Sequence, residues 1–168
     1  MNNQTAVKEE NFVAGLVGAF LFSLVGGIIW YLLYQIGFIA AISGVVGVVC
    51  AIKGYALFGK KESIKGVIAS LIITLVVMVG AWYFCLSTDV YSFYKEAYAM
   101  GEIEFHVSFG ESVSVAYHFL GEPEIAAGYF KDLAMGLVFC IIGAIGSVKI
   151  ALSRVKSGNS ASNAASEN

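Results

Sequence analysis

The sequence predicts an all-α membrane protein with four transmembrane helices and short helices in the extracytoplasmic loop between spans three and four. Hydrophobic residues make up 58% of the 168 residues and charged residues 13%, whereas a soluble domain carries about 25% charged residues. Residues 12–58 contain one charge, Lys53. Because about 20 apolar residues cross a bilayer core, this run predicts two spans joined by a tight turn. Apolar stretches at 66–85 and 133–152 predict the third and fourth spans.

The first two predicted spans, at about 11–34 and 38–57, carry small side chains at helical spacing. In the first span a small residue occupies every fourth position over four turns. A stripe of this kind lets the backbone of another helix approach closely. The second and fourth spans contain similar stripes. The predicted helix-packing residues are therefore Gly15, Ala19, Ser23, Gly27, Gly44, Gly143 and Ser147.

The basic residues predict the orientation of the chain. Of the ten Lys and Arg residues, only Lys95 and Lys131 lie on the side of the third-to-fourth loop, and the other eight lie opposite. The positive-inside rule assigns the more basic side to the cytoplasm. We therefore predict a multi-pass protein of the cell membrane with both termini cytoplasmic. The predicted topogenic residues are Lys53, Lys60, Lys61 and Lys65.

The transmembrane domain is predicted to cover residues 11–153 between two cytoplasmic tails. The tail at 1–10 is short and polar. The tail at 154–168 consists of small and polar residues with nothing to bury, so it is predicted to be disordered. The third helix is expected to continue beyond its span to about Met100, because tyrosines follow it at helical spacing.

Residues 102–119, within the extracytoplasmic loop at 86–132, allow two interpretations. Strict alternation of polar and apolar residues is typical of a β-hairpin, one face of which would gather Glu104, His106 and His118. Ser108 followed by Glu111 instead fits a helical capping box. An isolated hairpin is marginally stable, so the helical interpretation is favoured. A further helix is predicted to begin at Pro123 and to enter the fourth span.

Catalytic, cofactor-binding and metal-binding residues are not predicted anywhere in the chain. The predicted spans contain no acidic residue and no His, and these are the groups that intramembrane chemistry and ion coupling usually need. Loop His and Glu residues are more often solvated than ligating. Cys50, Cys85 and Cys140 are interpreted as small apolar residues. The chain is therefore predicted not to be an enzyme and to need no cofactor.

Two functional hypotheses remain from different classes. The first is a non-enzymatic membrane protein that acts through helix packing as an assembly or regulatory partner. The alternative is a small oligomeric transporter or channel component. The expected partners are the lipid bilayer and either a second copy of the chain or another membrane protein. Nucleic acid is not expected, because no basic stripe stands outside the connections between spans.

Five short segments carry a resemblance to known proteins: residues 37–41 (GFIAA), 50–55 (CAIKGY), 65–68 (KGVI), 122–125 (EPEI) and 129–133 (YFKDL). With these segments the chain resembles uncharacterised small four-span integral membrane proteins of Gram-positive bacteria. The resemblance covers most of the chain outside the tails. It implies a helical loop and a bacterial membrane, and it implies no activity.

Overall fold

The computed structural model describes residues 10–36, 42–61 and 63–166. This part of the chain contains helices and no strands, and four of the helices are long and apolar enough to cross a membrane. The predicted all-α fold with four spans is confirmed. Most of the predicted tail at 1–10 and part of the predicted first turn lie outside the described residues. The helices are α1 (Phe12–Gln35), α2 (Ile42–Gly59), α3 (Ile64–Ala99), α4 (Phe109–Phe119) and α5 (Pro123–Ser166).

Side-chain caps begin three of these helices, α1, α3 and α4. Asn11 Oδ1 accepts a hydrogen bond from Ala14 N at 3.0 Å at the start of α1. At α4, Glu111 N donates to Ser108 Oγ, and Ser108 N donates to Glu111 Oε2 at 2.7 Å. This pair is the capping box that the sequence predicts. The hydrogen bond from the Ser108 backbone holds the pKa of the Glu111 carboxyl below its usual value.

The helical interpretation of residues 102–119 is correct, and the alternative hairpin does not form. Residues 102–108 are irregular and α4 follows them. α4 packs on α3, where Leu86 and Val90 form a buried cluster with Ala116. A hairpin would have left its apolar face without a partner. The helix buries part of that face against α3.

α3 is longer than a bilayer core requires. Its 36 residues correspond to about 54 Å at 1.5 Å per residue, whereas the hydrocarbon core is about 30 Å thick. The helix ends at Ala99, and Met100 is its C-cap residue, as the tyrosine spacing predicts. The tyrosines pack on the following segments: the rings of Tyr91 and Phe109 are 5.9 Å apart. α3 therefore forms both a span and the support for α4.

α5 begins at Pro123, as predicted, and enters the fourth span without a break. It then continues to Ser166, through a segment for which the sequence predicts disorder. The difference has a physical reason. Once a helix exists, each further residue adds a hydrogen bond without a new nucleation step, and the chain contains no proline after Pro123.

Glycines of α1 face glycines of α2 at very short distances. A methyl group added at Gly18 of α1 would lie 2.3 Å from the carbonyl oxygen of Gly54 in α2. One added at Gly26 would lie 2.5 Å from Cα of Gly47. Only residues without a Cβ allow the two backbones to approach this closely. Both α1 and α5 pack against α2 and α3, so these two helices form the centre of the bundle.

Replacing Ala19 with Leu should destabilise the bundle. Ala19 is fully buried in a cluster with Ala51 and Tyr55, and overpacking of an interior costs about 1–3 kcal/mol. We expect the midpoint of thermal unfolding in detergent to fall for Ala19→Leu. It should stay level for Leu32→Ile, because Leu32 is exposed on α1. An unchanged midpoint for Ala19→Leu would contradict the packing.

Candidate functional site

The small residues predicted on α1 all lie buried. Gly15 faces the ring of Tyr55 in α2, and Gly27 faces α3. Ala19 and Ser23, between these two glycines, have no exposed surface. The stripe therefore contacts two neighbouring helices of the same bundle.

The residues predicted on α2 and α5 differ in burial. Gly44 lies against α5, where an added methyl group would be 2.7 Å from the carbonyl oxygen of Gly136. Gly143 of α5 lies against Val45, where an added methyl group would be 3.0 Å from Cα, and Ser147 is partly exposed. Spacing of four residues identified only part of the contact, since positions three apart share the same helix face. The close contacts missed in this way involve Gly18, Gly26 and Gly54.

The predicted topogenic residues are all exposed. Lys60 and Lys61 lie between α2 and α3, Lys65 lies in the first turn of α3, and Lys53 lies on α2. We call this end of the bundle the α2–α3 end and the other end, which carries α4, the α4 end. The topogenic role of the four lysines stays a prediction.

A carboxylate at the α4 end joins three helices. Tyr34 of α1 and Tyr129 of α5 each donate a hydrogen bond from the phenol oxygen to Asp89 Oδ2 of α3, both at 2.5 Å. The two rings lie 6.4 Å apart at an angle of 30°. All three residues are partly buried. We call Tyr34, Asp89 and Tyr129 the Asp89 cluster.

Two tryptophans lie next to the Asp89 cluster, on its side away from the α4 end. Trp82 Nε1 donates to the carbonyl oxygen of Tyr129 at 2.8 Å. The ring of Trp30 occupies a notch at Gly136, where an added methyl group would lie 2.1 Å from Cζ3. Trp30 Nε1 is buried and lies beside the Cys85 thiol. Both indoles belong to a buried core cluster with Cys85. Cys85 precedes Asp89 by one helical turn on α3.

Sequence reasoning missed Asp89 as a site residue. The third span was predicted to end at Cys85, which placed Asp89 in the loop, and the predicted spans therefore held no acidic residue. As predicted, α3 continues beyond the span to Ala99, so Asp89 lies on the same helix as the span. The available signal was the spacing, since Asp89 lies four residues after Cys85 and shares its helix face. Chemically, the cluster is a hydrogen-bonded bridge between helices.

A second cluster ties the start of the described chain to the α2–α3 end. Glu10 Oε1 accepts hydrogen bonds from Ser63 Oγ at 2.5 Å and from the phenol of Tyr55 at 2.6 Å. The ring of Tyr55 is seated where Gly15 and Gly66 leave space for it. The Ser63 and Tyr55 hydrogen bonds lower the pKa of the Glu10 carboxyl below its usual value. We call Glu10, Tyr55 and Ser63 the Glu10 cluster.

An open apolar groove of about 470 Å³ runs between α1 and α3 on the surface of the bundle. Gly27 and Gly80, one from each helix, lie along it with larger side chains on both sides. A methyl group added at Gly80 would meet no described atom within 4 Å. The larger lining residues include Phe20, Leu24, Ile28 and Phe84.

The residues considered for a metal site are not brought together. His106 packs against the ring of Tyr98 at 5.6 Å, and His118 packs against Tyr117 at 3.9 Å. Across residues 10–36, 42–61 and 63–166, no group of three or more His, Cys, Asp or Glu side chains could hold a metal ion. The arrangement with Glu104 needed the hairpin, and that segment is not a hairpin.

Comparison of the chain with protein-family models, curated proteins and solved structures finds no match. Its function is therefore argued from the geometry of its own residues.

Removing the phenol hydroxyls of the Asp89 cluster should destabilise the bundle. Hydrogen bonds to charged groups contribute about 1.5–3 kcal/mol, so Tyr34→Phe or Tyr129→Phe should lower the midpoint of thermal unfolding in detergent. Tyr117→Phe is the matched control, because Tyr117 is exposed on α4. A fall for Tyr117→Phe equal to that for Tyr34→Phe would contradict a specific role of the cluster.

Replacing Glu10 with Gln should remove a pH-dependent part of the stability. The folded-state pKa of Glu10 lies below the usual value of 4.5, so its contribution is present above that pH and is lost as the pH falls through the folded-state pKa. The wild type should therefore unfold at a higher temperature than Glu10→Gln at neutral pH, and the two midpoints should converge in acid. Glu104→Gln serves as the exposed control. A gap that is constant with pH would contradict the prediction.

Proposed function

We propose that this multi-pass membrane protein is non-enzymatic and acts as an assembly or regulatory partner of another membrane protein. Two features of the described chain support this function: its interior is closely packed, and its outer surface carries an open groove. Its helices contact one another through backbone atoms in the interior. On the outer surface of the spans, α1 and α3 leave an open groove.

The observation that carries the proposal is the closed interior. Backbones touch at Gly18 and Gly54, and again at Gly44 and Gly136, while Trp30 fills the space beside the second contact. A pathway for a solute through one protomer would have to separate these helices. This packing supports a function that is exercised on the outer surface of the bundle.

The groove between α1 and α3 offers a place for a transmembrane helix of the partner. Small residues allow close packing of helices in a bilayer, and Gly80 provides an exposed one at the groove. The aliphatic and aromatic side chains around it would pack on the sides of the incoming helix. The space above Gly80 is open, since an added methyl group would meet no described atom there, and this supports a helix docking at that position.

The test compares two equivalent substitutions. Gly80→Leu fills the groove, whereas Gly146→Leu adds the same side chain at an open glycine of α5 outside it. The tagged full-length chain would be purified from its native membrane, and membrane proteins that copurify in stoichiometric amounts would be quantified. We expect at least one such protein to be lost with Gly80→Leu and retained with Gly146→Leu.

Reconstitution of the purified chain into liposomes tests the alternative of a transporter or channel component. Solute flux that requires this chain alone would reject the proposed function. Equal recovery of every copurifying protein with Gly80→Leu and Gly146→Leu would also reject it.

We also propose a bacterial cell membrane as the location, with both termini in the cytoplasm. The exposed lysines at the α2–α3 end support this orientation through the positive-inside rule. In a variant without native cysteines, a membrane-impermeant thiol reagent should label Ser114→Cys in intact cells and should miss Lys61→Cys. Both positions are exposed, whereas the neighbouring Ser112 is buried and is unsuitable. The reverse labelling pattern would overturn the orientation.

A further inference from the structure

Four aromatic side chains form a continuous surface at the α4 end. The ring of Phe119 lies 6.2 Å from that of Phe93 and 6.2 Å from that of Tyr94, and Tyr94 lies 6.5 Å from Phe105. Phe93 is 59% exposed and Phe105 is 60% exposed. We call these four residues the aromatic patch. Two large apolar rings with most of their surface open are a typical feature of interaction sites.

The length of α3 places the aromatic patch beyond the lipid. With Ile64 at one edge of the hydrocarbon core, the other edge falls about 20 residues later, near Tyr83. Phe93 then stands about 15 Å beyond that edge at 1.5 Å per residue. The headgroup layer is only about 5–8 Å deep on each side. Lipid tails therefore do not cover the patch.

The aromatic patch lies in an acidic surrounding. Glu96 follows Phe93 by one helical turn, Glu104 precedes Phe105, and Glu122 follows Phe119 by three residues; all three acids are exposed. Residues 86–132 contain eight acidic residues and two lysines. Such a surface attracts cations that come within the screening length of the salt solution. It also repels the headgroups of anionic lipids.

We propose that the aromatic patch binds a cationic amphipathic segment of the partner protein, with its apolar side chains on Phe93 and Phe105 and its Lys or Arg residues facing the surrounding carboxylates. This inference rests on the proposed function, because it names the chemistry of the partner outside the membrane. Aromatic rings serve as anchors at protein interfaces, and an Arg guanidinium gains a cation–π contact over an exposed ring. Charge complementarity sets the choice of partner and the rate of association.

The test uses the full-length chain in nanodiscs of zwitterionic phosphatidylcholine. The probe is a synthetic helical peptide of lysine and leucine with its charges on one face, and the comparison peptide carries glutamate in place of lysine. Empty nanodiscs measure binding of each peptide to lipid alone. We expect the lysine peptide to bind the chain above the level of empty discs, more weakly as salt increases, and the glutamate peptide to stay at that level.

Two variants separate the apolar and the charged parts of the surface. Phe93→Ser with Phe105→Ser, and Glu96→Gln with Glu104→Gln, should each weaken binding by about tenfold, and the Gln pair should also reduce the salt dependence. Tyr117→Ser, at an exposed ring outside the patch, should bind as the wild type does. Thermal midpoints would show that each variant is folded.

Binding at the level of empty discs, or equal binding by the Ser pair and the wild type, would overturn this inference. Neither result bears on the proposed function, which is decided by the Gly80→Leu comparison. If a protein is lost from the purified complex with Gly80→Leu but the lysine peptide does not bind, the partner is held within the membrane alone.

Discussion

Direct contact between glycine backbones is the constraint on which the rest of the bundle depends. Lipid tails are as apolar as leucine, so helices in a bilayer gain little by hiding apolar surface from lipid and must associate through close packing. At Gly18, Gly26 and Gly54 no larger side chain fits. This spacing between α1 and α2 also determines where large residues can lie. The Tyr55 ring, for example, occupies the space left by two further glycines.

Hydrogen-bonded clusters at the two ends complement this packing. The glycine contacts set the short distance between neighbouring helices, whereas the Asp89 and Glu10 clusters define which helix ends meet. Asp89 connects α1, α3 and α5 through two phenols, and Glu10 connects the start of the described chain to α2 and to the cap of α3. Both carboxylates lie near a membrane boundary, where a charge is tolerated more easily than at mid-depth. The clusters therefore align the bundle without a charge at its centre.

A bundle closed in this way has its interaction surfaces on the outside. The groove between α1 and α3 lies within the spans, and the aromatic patch stands above them on the long outer part of α3. Together they would let one partner contact the chain with a transmembrane helix and with a basic segment beyond the bilayer. α4 matters for both surfaces, because Phe109 packs on Phe84 at the groove and Phe119 packs on Phe93 in the patch.

Hydropathy and local spacing determined the four spans, the capping box of α4 and the helix that begins at Pro123, because each depends on neighbouring residues in the chain. The small residues of α1 were also recognisable, since a stripe at every fourth position needs only one helix. Which helix each residue contacts was decided by the tertiary structure alone. Asp89 shows the reason most clearly: its two phenol partners lie 55 and 40 residues away in the sequence, and only the packing of α1 and α5 against α3 brings them to one carboxylate oxygen.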